Sequence, residues 1–185
     1  MHNLQPAIND QKKFSNIELK EISPIRKLII RGKSREFISA VGRAINILLP
    51  TEANTSSSNG EITTIWLSPD EWLIFSNTID DKDFNQIEEK LIQNICKTKL
   101  GAVIDVTDQF VMINLSGNKI FDLFQTGSPF NFNEFRNKKG ATTQTLLAKI
   151  DVIIQNKDQN DANLFVRRSF SRHLFSWMSD SASRL

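Results

Sequence analysis

What this chain does without narrows its chemistry before any motif is weighed. Its 185 residues include one cysteine, two histidines, seven glycines and no tyrosine. Cys96 alone cannot close an intramolecular disulfide, and with His2 and His173 it cannot complete a zinc ligand set of Cys and His. The glycines nowhere form Gly-x-Gly-x-x-Gly, so the dinucleotide fingerprint is missing. No Gly-x-Ser-x-Gly offers a nucleophile elbow either. No apolar run approaches the roughly 18 residues that cross a bilayer. The start, Met1-His2-Asn3-Leu4-Gln5-Pro6, lacks a basic region followed by an apolar one. A cytoplasmic chain without a membrane partner is expected. An excess of one charge is also missing: 23 basic residues interleave with 21 acidic ones for a net charge of +2, which leaves no electrostatic footprint for nucleic acid.

The remaining composition, 39% hydrophobic and 24% charged, is that of an ordinary globular chain. Such a length buries roughly 70% of the unfolded surface. With 13 phenylalanines and no tyrosine, aromatic burial relies on rings without a polar handle, which favours dry cores and interfaces.

Apolar spacing then repeats a pattern of two strands and a helix. Ile17-Glu18-Leu19-Lys20 alternates as a strand, Ile25 to Arg31 reads as a second, and Phe37, Ile38, Val41, Ile45 and Leu48 recur at helical spacing. Ile65 to Phe75 reads as a tight hairpin around Ser68-Pro69-Asp70-Glu71, with Trp66 and Trp72 on either side. A helix over 83–97 follows, with Phe84, Ile87, Leu91 and Ile95 inward and Glu88, Glu89 and Lys90 turned away. Ala102 to Val106 and Phe110 to Leu115 read as strands joined by a hairpin turn at Thr107-Asp108-Gln109. Ser116 then reads as the N-cap of a helix that ends at Gly127. After a looser region from Ser128 to Gly140, Leu146 to Ile154 reads as one long strand with Leu164-Phe165-Val166 as its partner. The last helix starts at Ser169 and packs Phe170, Leu174, Trp177 and Met178. Together these predict an α+β fold of repeated strand-strand-helix units with mainly antiparallel sheet. The expected organisation is a mobile tail over 1–16 and a single domain of two related halves over 17–182. Residues 51–60, polar and small, read as a flexible loop.

Several residues invite a sharper reading. Arg31-Gly32-Lys33-Ser34 looks like the end of a phosphate-binding loop, but the glycine required five positions earlier is Lys27, so an ordinary helix start is favoured. Asp105 and Asp108 read as turn-capping residues or as a carboxylate pair for acid–base chemistry. Arg167-Arg168 offers bidentate groups for a carboxylate, although alternate strand residues face opposite sides and would not share one ligand. His173 flanks an apolar helix face and has no recognisable nucleophile, so a packed or interfacial histidine is expected. Cys96, at a helix end with no basic group placed to lower its pKa, reads as structural.

Four stretches in order resemble the gamma subunit family of heterotetrameric sarcosine oxidase. They are Trp66-Leu67-Ser68-Pro69-Asp70-Glu71-Trp72-Leu73-Ile74, Asp105-Val106-Thr107-Asp108-Gln109 leading to Leu115-Ser116-Gly117, Gly140 to Lys149, and Val166-Arg167-Arg168-Ser169-Phe170 running on to Met178. The resemblance implies a fold similar to the folate-binding domain of the glycine-cleavage aminomethyltransferase. It also implies a place in a complex that oxidatively demethylates sarcosine to glycine and passes the one-carbon unit to tetrahydrofolate. Flavins, NAD, zinc and tetrahydrofolate would be held by the alpha, beta and delta subunits, and none by this chain. Trp66, Asp70, Trp72, Asp105, Asp108, Arg167, Arg168 and His173 are then candidate contacts for a partner or ligand in a non-catalytic docking subunit. An alternative is a stand-alone folate-dependent one-carbon transfer enzyme or folate-binding regulator, with Asp105 or Asp108 toward the pterin and the arginines toward the glutamate tail. An unrelated interaction scaffold is the third class.

Overall fold

Antiparallel pairing organises the whole chain in the computed structural model, which describes residues 5–22 and 24–185. In chain order the elements are β1 (Gln11–Lys13), β2 (Glu18–Glu21), β3 (Lys27–Arg31), α1 (Arg35–Ile45), β4 (Ser56–Ser58), β5 (Thr63–Ser68), β6 (Glu71–Phe75) and α2 (Asp81–Leu91). Then follow β7 (Ala102–Asp105), β8 (Phe110–Ser116), α3 (Ile120–Gly127), α4 (Phe132–Phe135), β9 (Thr142–Leu147), β10 (Ile150–Asp158), β11 (Asp161–Arg167) and α5 (Ser171–Ala182). The chain divides into two compact units, one of Met1–Pro24 with Asp108–Leu185 and the other of Ile25–Thr107.

The discontinuous unit carries a six-stranded sheet in the order β1-β2-β8-β11-β10-β9. One face buries Leu19, Ile113, Leu115, Leu164 and Val166 with α3, α4 and α5, the alternation of a sheet packed on helices. Phe121, Phe124, Phe130, Phe132 and Phe135 form a ring cluster on this side, with paired centroids from 4.9 Å for Phe130–Phe132 to 6.3 Å for Phe121–Phe132. Pairs of this kind add about 0.5–1.5 kcal/mol each beyond area burial. The phenylalanine excess is thus concentrated where no ring needs a polar partner.

The continuous unit carries a five-stranded sheet in the order β4-β5-β6-β3-β7, with α1 and α2 packed through Phe37, Val41, Phe84 and Leu91 against Leu28, Ile30, Trp72 and Ile74. Ser34 caps α1 by accepting the Phe37 N–H, and Asp80 caps α2 by accepting the Asp83 N–H. Beyond α2 the helix widens over Ile92–Cys96, where the Lys97 N–H reaches back to the Ile92 carbonyl at 3.1 Å. Phe37 sits between two glycines. A Cβ on Gly32 would lie 2.3 Å from its ring, and one on Gly101 would lie 2.9 Å from the ring and 2.1 Å from the Arg31 carbonyl oxygen.

The structure departs from the sequence expectations at identifiable points. Thr107-Asp108-Gln109 is not a hairpin turn: β7 pairs with β3, while β8 pairs with β2 and β11, so the chain crosses there from one sheet to the other. Leu146 to Ile154 is not one strand but the hairpin β9–β10, turning at Ala148 and Lys149 with φ of 51° and 65°. Ser116 ends β8, and α3 begins at Ile120 without a side-chain cap. The expected tail before residue 17 contains β1, and the Ala7, Ile8 and Asn9 N–H groups all donate to the Glu21 carboxylate. Residues 1–4, and with them His2, lie outside the described residues. Within 51–60, Ser56–Ser58 pairs as an edge strand with β5. The region after Ser128 holds the short helix α4, and Phe170 is 49% exposed instead of packed.

Candidate functional site

The predicted candidates divide between the two units. Trp66, Asp70, Trp72 and Asp105 belong to the continuous unit, whereas Asp108, Arg167, Arg168 and His173 belong to the other.

Trp66 and Trp72 face each other across β5 and β6. Trp72 is enclosed, stacks on Phe37 with ring centroids 5.8 Å apart, and donates its Nε1–H to the Pro50 carbonyl at 2.8 Å. It is therefore a core anchor and offers no surface to a partner, while Trp66 is half-buried against the same cluster. Asp70, in the turn, accepts from the Ser68 hydroxyl at 2.8 Å and from Arg31 at 3.3 Å. The Ser68 bond and the positive charges of Arg31 and Lys33 hold its carboxyl below the usual carboxylate value. The Gly32 N–H donates to the Asp70 carbonyl at 3.1 Å, so the phosphate-loop look of Arg31-Gly32-Lys33-Ser34 has a packing cause. The glycine seats Phe37, and Ser34 caps α1.

Asp105 is partly exposed but tied to its own unit by two contacts. One oxygen accepts the Thr107 N–H at 2.8 Å, the turn-capping role, and the other meets Arg26 at 3.1 Å. Arg26 is 4% exposed and also binds Glu88 at 2.5 Å and Asn85, with its guanidinium 5.9 Å from the Phe84 ring centroid. Glu88, expected to turn away from the core, is instead an internal partner. Arg26 and Glu88 escape a linear reading because they meet only once α2 lies against the sheet. The basic pair Arg26-Lys27 at the start of an otherwise apolar strand was the available signal. Asp105 belongs to the continuous unit, and Asp108, three residues on, to the discontinuous one. Asp108 lies 3.9 Å from Arg168, which donates to the Gln5 carbonyl at 2.7 Å and whose backbone N–H meets the Gln109 carbonyl. His173 is exposed on α5.

Arg167 ends β11, and its neighbour Arg168 opens the next turn and points elsewhere, as strand alternation requires. Arg167 lines a groove of about 510 Å³ on the sheet face opposite α3 to α5. Cross-strand registers build that face in rungs. Arg167 pairs with Phe110, and Asp151 pairs with Leu146, all four in the groove wall. The next rung is Met112, Phe165, Ile153 and Gln144. The third is Asn114, Asn163, Gln155 and Thr142, in which Asn114 donates to Asn163 at 3.2 Å and Asn163 to Gln155 at 3.0 Å. The amides satisfy one another, so this rung is a structural ladder. Among the described residues no three or more His, Cys, Asp or Glu side chains cluster as metal ligands, and no helix is long and apolar enough to cross a membrane.

Comparison with known proteins places this architecture. Among curated proteins none matches. The heterotetrameric sarcosine oxidase from Corynebacterium sp. U-96, solved in complex with pyrrole 2-carboxylate, contains a chain of the same fold, with a TM-score of 0.80 at 19% identity over 94% of this chain and 88% of that one. The glycine cleavage system aminomethyltransferase T from Bartonella henselae is similar with a TM-score of 0.65 at 14% identity, over 91% of this chain and 49% of that one. The α+β fold with antiparallel sheets is therefore the one these proteins share. The sequence profile of the sarcosine oxidase, gamma subunit family matches residues 31–184, and the chain belongs to that family.

Proposed function

We propose that this chain is the non-catalytic gamma subunit of a heterotetrameric sarcosine oxidase complex and works by docking on and assembling its companions. The family match across residues 31–184 carries this reading. The scattered candidate side chains support it. Asp105 is committed to Arg26 and Thr107, Arg168 to backbone carbonyl and Asp108, and His173 stands alone on its helix. The companions are alpha, beta and delta subunits. They carry the flavins, NAD, zinc and tetrahydrofolate for oxidative demethylation of sarcosine to glycine, and the complex is cytoplasmic. For the folate-enzyme alternative Asp105 is already engaged by Arg26 and Thr107, which leaves Asp108 as the acidic candidate, and the family match does not favour that reading.

Co-expression of the tagged chain with the companion subunits tests the proposal. Recovery of a stoichiometric complex whose sarcosine oxidation falls when this chain is omitted is expected. A lone monomer, with full oxidase activity in its absence, refutes it.

A further inference from the structure

The turn between β4 and β5 brings a reactive main-chain group and a reactive side chain together. Asn59-Gly60 is the only Asn-Gly step in the sequence, and both residues are exposed. The Asn59 Oδ1 accepts the Glu61 N–H at 3.0 Å and the Ile62 N–H at 2.8 Å. The Glu61 bond closes a ring that contains both the side-chain carbon Cγ and the Gly60 nitrogen, so the side-chain amide is folded over the peptide that follows it. Gly60 has φ of 94°, and a Cβ built there would meet nothing within 4 Å among the described residues. Its N–H donates to the Ser58 hydroxyl at 3.2 Å, and that hydroxyl donates to the Ile62 carbonyl at 3.1 Å, which fixes the orientation of the peptide. The Asn59 Nδ2 donates to the carbonyl of Asn46, the residue that ends α1, at 3.4 Å.

We infer that Asn59 is a modification site, at which the folded chain converts its own side-chain amide to a carboxylate through a succinimide. The Gly60 nitrogen loses its proton to solvent and bonds to Cγ, a step favoured by holding both atoms in one turn. Negative charge gathers on Oδ1, where the Glu61 and Ile62 N–H groups already point and act as oxyanion donors. The Cγ–Nδ2 bond then breaks, and the nitrogen takes a proton from water and leaves as ammonia. Water opens the ring at Cγ to give aspartate, or at the main-chain carbonyl carbon to give isoaspartate, in which the chain runs through the former side chain. The sum is one water consumed and one ammonia released, with nothing oxidised or reduced. Glycine at the following position matters because any side chain there would crowd the attacking nitrogen. Either product sets a negative charge opposite the Asn46 carbonyl, at the helix end whose dipole is itself negative, so the turn loses its tie to α1.

The experiment ages the full purified chain at neutral and mildly alkaline pH and maps its peptides by mass spectrometry, with ammonia assayed in parallel. Conversion at Asn59 is expected to exceed that at Asn54, which is also exposed but precedes Thr55, by about tenfold or more. It is expected to match the ammonia released and to run at least as fast as in a synthetic peptide of residues 56–63. Gly60→Ala is expected to slow it by about tenfold or more in both the chain and the peptide. Conversion no faster at Asn59 than at Asn54 overturns the assignment. A slower rate in the folded chain than in the peptide also overturns it, because the turn would then protect the amide. A Gly60→Ala rate equal to wild type removes the Gly60 nitrogen from the reaction and the proposal with it.

Discussion

The β9–β10 hairpin gives a sharp test of the backbone reasoning, because its turn is built from two residues poorly suited to it. Ala148 and Lys149 both have positive φ, 51° and 65°, between the paired Leu147 and Ile150. A two-residue hairpin with both central residues left-handed is the type that strongly favours Asn-Gly. A non-glycine residue in that region costs about 1–2 kcal/mol. Lys149→Gly removes this cost but gives the unfolded chain about 0.4–1 kcal/mol of extra entropy, so the net stabilisation is about 0.5–1 kcal/mol. For a chain of this size that corresponds to a rise in Tm of about 1–4 °C. Ala148→Asn in the same protein should add a few tenths, since Asn tolerates the left-handed region. The neighbouring bond from the Ala148 N–H to the Gly127 carbonyl, 2.9 Å, is untouched by the change at 149. Lys149→Ala serves as the control, because alanine meets the same steric cost and should stay within about 0.5 kcal/mol of wild type. Urea unfolding at constant m-value measures all three. If Lys149→Gly is no more stable than Lys149→Ala, the strain assigned to the turn does not exist.

The other predictions concern packing and charge. Gly101→Ala should destabilise by about 3 kcal/mol, the upper end for overpacking, because its Cβ would press on the backbone oxygen of Arg31, 2.1 Å away, which cannot swing aside; chemical denaturation measures it, and an alanine variant of wild-type stability would contradict the packing around Phe37. Trp72→Phe should cost about 1–3 kcal/mol by leaving the Pro50 carbonyl without its donor, read from the urea midpoint. Asp122 is held below its ordinary value of 3.8, chiefly by its bond from Arg136 and then by that from Lys119. A carboxyl lowered in the folded state stabilises above the unfolded value and loses that stabilisation as pH falls through the folded one. Asp122→Asn should therefore be less stable than wild type at neutral pH, with the gap closing below pH 3.8; a gap independent of pH would remove the ion pair from the explanation.

Most of the elements were legible locally, because period and caps act within one turn or one strand. Ser34 before Phe37 announces α1, and Ser68-Pro69-Asp70-Glu71 between two tryptophans announces β5–β6. What escaped is pairing across long separations. β2 and β3 are neighbours in sequence yet join different sheets, with β2 on β8 and β3 on both β6 and β7. The turn residues at 107–109 hydrogen-bond in the same way whether the chain doubles back or crosses over, so their composition could not distinguish a hairpin from a crossing. The Ala148–Lys149 turn escaped for the opposite reason: its residues carry no turn signal, and the long flanking strands impose the left-handed backbone on them. The candidate site divides along the same line. Asp105 and Asp108 suggested a pair through proximity in sequence, while the residues that do act together, Arg26 with Glu88 and Asp105, come from elements that only the packed fold brings side by side. A residue's local pattern shows which face it can occupy, and its partner is set by the loop closures that bring the strands together. In this chain the cluster of Arg26, Glu88 and Asp105 belongs wholly to the second kind.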